Sequence, residues 1–279
     1  MMQVSSVKSH GGTQAVYTHA SQACSCDMTF AIFLPPQAQM RPVPVLWYLS
    51  GLTCTHQNVM EKGEYRRAAA RHGIAIVCPD TSPRGSEIPD EKDNWKFGCG
   101  AGFYLDATQE PFAKNYRMAT YLWEELPSLL AAQFPLDMTR QGIFGHSMGG
   151  HGAITLALKN PGRFRSVSAF APIVQPSTAD WSKPAFEKYL GSDPKAWRSY
   201  DTTCLIEDDH RIPELLVDQG SADSFLNDGL RPWLLSQACE GTGIELTLNM
   251  REGYDHSYFF ISTYMDDHIA WHADRLVKK

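Results

Sequence analysis

The chain has 279 residues, 43% of them hydrophobic and 20% charged, with a net charge of -6; this is the composition of a globular protein with a sizeable core. The acidic balance, with no Lys/Arg cluster or basic-aromatic stripe, excludes a nucleic-acid footprint. Seven scattered cysteines without a C-x-x-C pair, no apolar signal core at the start and no membrane-length apolar window together predict a soluble, cytoplasmic chain with free thiols.

In chain order, AVYTHAS (15–21) and MTFAIFLP (28–35) alternate apolar and polar residues, like antiparallel strands at a sheet edge. VPVLWYLS (43–50) is a continuous apolar run, the pattern of a strand covered on both faces. It passes abruptly into a polar turn containing Cys54, which is either a nucleophile or the neighbour of one. A helix is predicted from Met60 to His72, then a strand over IAIVCPD (74–80). Residues 81–113, rich in Pro, Gly and aromatics, are too long for a plain connection and read as a pocket-forming excursion. A helix is predicted from Asn115, its N-cap, to Phe134, with Pro127 kinking or ending it. Strands follow over QGIFGH (141–146), RSVSAFAP (165–172), ELLVDQG (214–220) and IELTLNM (244–250), with helices Met148–Lys159, Ser224–Cys239 and Ser257–Leu276 after the first, third and fourth. Such alternation predicts a mainly parallel sheet in one α/β domain spanning 1–279.

Residues 145–149 read GHSMG, a G-x-S-x-G sequence between a strand and a helix, the context that makes Ser147 a candidate nucleophile. A serine hydroxyl needs a base, and with this elbow the acid and then the histidine come later in the chain. His256 lies in a polar loop after the last strand. His268 and His272 fall inside a helix, and His146 and His151, flanking Ser147, read as hydrogen-bonded structural imidazoles. For the acid, Asp223 just beyond its strand is better placed than Asp218 inside it, although Asp223 also fits a helix N-cap; Asp255 is adjacent to His256 and poorly aimed.

Six stretches, YLSGLTCT (48–55), PDTSPRG (79–85), AGFYLDAT (101–108), GHSMGGHGA (145–153), QGSAD (219–223) and GYDHSYFF (253–260), together resemble the S-formylglutathione hydrolase, or esterase D, family across nearly the whole chain. The resemblance implies an α/β-hydrolase fold with a mainly parallel central sheet, an antiparallel N-terminal edge and helices on both faces. It implies a cytoplasmic, homodimeric thioesterase that splits S-formylglutathione into glutathione and formate, with Ser147 as nucleophile, Asp223 as acid and His256 as base. It also implies an oxyanion hole made by the backbone N–H groups of Leu52 and Met148. On that reading Cys54 is a neighbour of the chemistry, either a site of thiol modification or a packing residue. No metal or organic cofactor is called for, and no nucleic-acid or membrane partner. Because glutathione carries carboxylates, Gln57, Arg84 and Lys96 are candidate contacts. Trp95, Phe97, Phe103, Tyr104 and Trp181 are candidate walls of the acyl site, or ordinary core. The alternative activity is that of a general short-chain carboxylesterase.

Overall fold

The computed structural model describes residues 1–277. A nine-stranded sheet runs in the order β1-β2-β3-β5-β4-β6-β7-β8-β9: β1 Met2–Ser9, β2 Gly12–Ser21, β3 Cys26–Leu34, β4 Val43–Leu49, β5 Ala75–Pro79, β6 Leu136–His146, β7 Phe164–Phe170, β8 Glu214–Gly220 and β9 Glu245–Arg251. The pairs from β1 through β3 to β5 are antiparallel and the other five are parallel. β4 is buried along its whole length, as its unbroken apolar run requires.

β7 shows how the two faces of the sheet are divided. Successive strand residues point to opposite faces. Ser166 and Ser168 meet the C-terminal helix Tyr258–Leu276, whereas a Cβ placed at Gly150, on the helix Met148–Lys159, would lie 3.2 Å from the Ala169 Cβ. The first face carries a buried polar seam. Ser166 Oγ lies 2.6 Å from His272 Nδ1, and Ser168 Oγ lies 2.8 Å from both His272 Nε2 and His268 Nδ1. The two serines in this strand are therefore explained by their imidazole partners, and the seam fixes the helix that begins directly after His256.

Several boundaries differ from the sequence expectation, each for a local reason. The helix expected over 60–72 is two helices, His56–Lys62 and Arg66–His72, because Gly63 ends the first and Glu64 takes a left-handed φ of 56° between them. The first begins earlier than expected, capped by Thr55, whose side chain accepts from the Gln57 N–H. Asn115 is not a cap: its amide donates to Cys24 O at 2.8 Å, and helical structure starts at Met118. Pro127 does not end the helix either. A widened π-turn over Tyr121–Glu125 precedes the segment Leu126–Gln133, so the proline falls within the first turn of that segment, where a missing N–H is tolerated. The helix expected over 224–239 is a π-turn, Leu226–Leu230, and a helix, Pro232–Cys239, separated by Arg231 at φ 48°. β6 starts five residues before its apolar run. The polar β1 and the short helices Lys183–Leu190, Pro194–Arg198 and Thr202–Glu207 carry no strong periodic signal and were not expected.

The register brings the C-terminal ends of the middle strands into line. Leu49 pairs with Gly145, His146 with Phe170, and Phe170 with Asp218. Loops that follow β4, β6, β7 and β8 therefore open on one edge of the sheet, where open α/β sheets place their ligand sites.

Candidate active site

Ser147 sits where β6 gives way to its helix, at φ 56° and ψ -119°, a conformation that side chains rarely adopt. The turn leaves no room for neighbours with side chains. A Cβ at Gly145 would come within 2.4 Å of Gly149 O, and one at Gly149 within 1.9 Å of Leu49 O. The two glycines of G-x-S-x-G are thus set by backbone contact, and the strained residue between them projects from the sheet edge.

His256 lies in the turn between β9 and the C-terminal helix. Its Nδ1 is 2.5 Å from Asp223 Oδ2, and the Asp223 side chain is wholly buried while that of His256 is 19% exposed. Asp223 Oδ2 also accepts from the Gln219 amide at 3.2 Å, and Oδ1 accepts from the Phe225 N–H at 2.8 Å. One carboxylate therefore orients the imidazole with one oxygen and ties down the following turn with the other. The short contact is a charge-assisted hydrogen bond, which fixes the ring and the tautomer that leaves Nε2 free to accept a proton.

The other two aspartates are occupied elsewhere. Asp218 accepts from Asn249 Nδ2 and Arg251 Nε, both at 2.8 Å, with His268 Nε2 at 3.7 Å. Burial would raise its carboxyl, but His268, Asn249 and Arg251 together hold it below the usual carboxylate range. Asp255 accepts from the N–H and hydroxyl of Ser257 at 2.9 and 2.7 Å, bracing the start of the C-terminal helix.

Ser147 and His256 share a cavity of about 320 Å³ with Gly51, Leu52 and Cys54 from the turn after β4. That turn abuts the elbow: a Cβ at Gly51 would lie 3.2 Å from the Ser147 Cβ. Thr53 N donates to Gly100 O at 2.9 Å and Cys54 N to Gly51 O at 3.3 Å, while among the described residues the Leu52 N–H meets no backbone or side-chain acceptor. The Met148 N–H opens its helix and so has no carbonyl within it to bond. Leu52 lines the cavity beside Ser147, and Met148 follows Ser147 directly in the chain.

The excursion over 81–113 mostly supports this turn from behind. Tyr104 donates its hydroxyl to Ser50 O at 2.7 Å, Arg84 donates to Cys54 O at 2.9 Å, and Thr81 also donates to Cys54 O. His151 Nε2 lies 3.2 Å from Phe103 O, joining the excursion to the elbow helix; burial pushes this imidazole down to about 4. Of the expected walls, Trp95 and Trp181 line the cavity and stack with ring centroids 6.3 Å apart, whereas Phe97, Phe103 and Tyr104 are core residues outside it.

The candidate polar contacts fare differently. Arg84 is committed to Asp80 at 3.0 Å and to Cys54 O. Lys96 lies over the Trp95 ring, 5.3 Å from its centroid. Gln57 is exposed and does not line the cavity, while its neighbour Asn58 does. The helical turn after Thr55 carries Asn58 inward and leaves Gln57 outside. Cys54 is a free, half-buried thiol at the cavity wall, and burial raises it above its ordinary value.

Phe225, Leu230, Tyr258 and His146 also line the cavity without having been singled out as site residues. Phe225 and Tyr258 each lie two residues from a member of the Asp223–His256 pair, a proximity that the sequence did offer. His146 departs from its structural expectation, since neither of its buried ring nitrogens has a hydrogen-bond partner among the described residues. No helix among those residues is long and apolar enough to cross a membrane.

Comparison with known proteins gives a consistent picture. An esterase family model matches residues 21–275. The chain is 51% identical over 279 residues to S-formylglutathione hydrolase of Mus musculus, with 99% of each covered. It is 52% identical over 273 residues to the protein of that name from Paracoccus denitrificans (strain Pd 1222), covering 98% of this chain and 97% of the relative. A solved structure of an S-formylglutathione hydrolase from Agrobacterium tumefaciens shares 62% identity, with a TM-score of 0.98 over 99% of this chain and 100% of that one.

Proposed function

The chain belongs to the S-formylglutathione hydrolase family, and on that premise we propose that it is a serine thioesterase which hydrolyses S-formylglutathione to glutathione and formate through Ser147, His256 and Asp223. What carries the assignment of roles is one observation: Ser147 and His256 open on the same cavity, with Asp223 Oδ2 2.5 Å behind the imidazole.

In this reading His256 Nε2 takes the Ser147 proton as the oxygen attacks the formyl carbonyl, and Asp223 steadies the imidazolium that forms. The carbonyl oxygen becomes negative between the Leu52 and Met148 amides, each worth about 2.7–4 kcal/mol if side-chain oxyanion donors are a fair guide. The C–S bond then breaks. A cysteine thiol has a pKa of about 8.5, so the thiolate leaves with less help than an alkoxide would need, and His256 returns the proton. Water activated by His256 attacks the formyl-serine ester by the same steps, releasing formate and the free hydroxyl.

Asn58, Cys54, Trp95 and Trp181 are the proposed substrate contacts, with the charged ends of the tripeptide at the rim. Cytoplasmic location, a homodimeric state and a single domain over 1–279 complete the proposal. The apolar lining contributed by Trp95, Trp181 and Phe225 favours a second reading, a general short-chain carboxylesterase. Specificity constants for S-formylglutathione and a short-chain aryl ester decide between them. Preference for the thioester is expected, and preference for the aryl ester would overturn the glutathione assignment.

A further inference from the structure

The residue just before the nucleophile has no part in the reaction described above. His146 ends β6, is 6% exposed and lines the cavity, and neither nitrogen is hydrogen-bonded among the described residues. Its Nδ1 would stand 3.2 Å from a Cβ on Gly51, so the ring fills the space beside the oxyanion turn. On its other side is the base itself: the His146 and His256 ring centroids are 4.3 Å apart, with the planes at 47°. The Phe225 and His256 rings meet in a T-shaped arrangement, with centroids 5.0 Å apart and planes at 67°. The imidazole of His256 is thus in contact with two aromatic rings, one supplied by the elbow and one by the turn that Asp223 anchors.

Resting on the assignment of His256 as base, we propose that His146 and Phe225 form an aromatic clamp that positions His256 and stabilises its imidazolium while the tetrahedral intermediates form. A cation over the face of a desolvated aromatic ring, within about 6 Å of the centroid, is attracted by the ring's quadrupole; both ring centroids lie within that distance of the His256 ring. For His146 to act in this way it must stay uncharged. Burial, with the His256 charge adding to it and the nearby His256 backbone opposing it, holds His146 well below the ordinary histidine value, so it presents a neutral ring and not a second cation. Among the described residues, the charged or titratable groups around His256 are the carboxylates of Asp223 and Asp255, the His146 ring, and Cys54 and Tyr258 on the shared cavity wall.

The test compares His146→Phe, which keeps an aromatic ring, with His146→Leu, which keeps bulk alone, on S-formylglutathione and on a short-chain aryl ester. The Leu variant should lose about tenfold in kcat with KM little changed. The factor should be the same for both substrates, because the loss acts on the base and not on the leaving group. The acid limb of its kcat/KM profile should move to lower pH, while the Phe variant recovers most of the turnover and the wild-type limb. Phe225→Leu, at a 37% exposed position, gives the same shift of the limb should His146→Leu fold poorly. If Phe is as impaired as Leu, if Leu keeps full kcat, or if the loss falls on one substrate alone, the clamp is wrong. A wild-type enzyme that prefers the aryl ester would refute the substrate assignment instead, and the comparison on that ester would still stand.

Discussion

Two buried aspartates five residues apart should respond to the same substitution in opposite ways. In Asp223→Asn, Oδ1 can still accept from the Phe225 N–H, now 2.8 Å away. Asp223 caps no helix, the next one opening at Leu226 without a side-chain cap; with the turn bond kept, stability should fall by no more than about 1 kcal/mol, or roughly 2–4 °C in Tm for a chain of this size. The charged acceptor 2.5 Å from His256 Nδ1 is lost, however. The imidazole no longer has its tautomer fixed, and turnover should drop by about 10⁴. Asp218→Asn removes the charge that Arg251 and Asn249 share. Breaking a fully buried pair costs about 3–5 kcal/mol, but the Arg251 side chain is 28% exposed and water compensates in part. A loss of about 2 kcal/mol is expected, a fall of roughly 4–8 °C in Tm, with turnover close to wild type at temperatures where the protein is folded. Thermal melts by circular dichroism beside steady-state hydrolysis measure both quantities. If Asp218→Asn abolishes turnover in folded protein while Asp223→Asn retains it, the assignment of the acid is wrong.

Acid should destabilise the fold through its buried histidines. His146, His151, His268 and His272 all lie below the ordinary value of 6.5 because burial disfavours their charged forms. Above pH 6.5 they are neutral whether folded or unfolded and have no pH effect. Below it the unfolded chain takes up protons that the fold refuses, so stability declines as pH falls. His151 alone, at about 4 when folded, should account for about 3 kcal/mol by pH 4. Urea midpoints measured from pH 8 to pH 4 should therefore be flat at first and then fall, and a midpoint that rises on acidification contradicts the reasoning. Cys54→Ser should keep turnover within about threefold, since the thiol takes no part in the steps above, but should lose sensitivity to alkylating reagents. In the wild-type protein, inactivation by those reagents should quicken with rising pH as the buried thiol ionises. Loss of hydrolysis in Cys54→Ser would show the thiol to be required.

Much of this fold could be read because its strands are covered on both faces. β4 and β8 announce themselves as apolar runs, and β8 has the expected bounds, Glu214–Gly220. β1 could not be read in this way: it is an edge strand with nearly every residue exposed, so burial imposes no pattern on MQVSSVKS. Breaks inside helices were equally hidden. Glu64 and Arg231 adopt left-handed backbone that neither residue type signals, and nothing in the residue types announces the π-turn that places Pro127 in a first turn. At the site, position relative to the end of the strand distinguished Asp223 from Asp218, whereas the partners that occupy Asp218, namely Asn249 and Arg251, lie on β9 and emerge only with the register of the sheet. The excursion was expected to form the pocket. Among its aromatics only Trp95 reaches the cavity, and Tyr104 instead holds Ser50 O, a function no composition could announce.

The most direct test of the central claim is to mix enzyme with S-formylglutathione, quench within a single turnover, and locate the formyl group by peptide mass spectrometry while following release of thiol. The account predicts a formyl adduct on Ser147 and a burst of glutathione matching the enzyme concentration, both absent in Ser147→Ala. An adduct on Cys54, or a burst that survives Ser147→Ala, would contradict it.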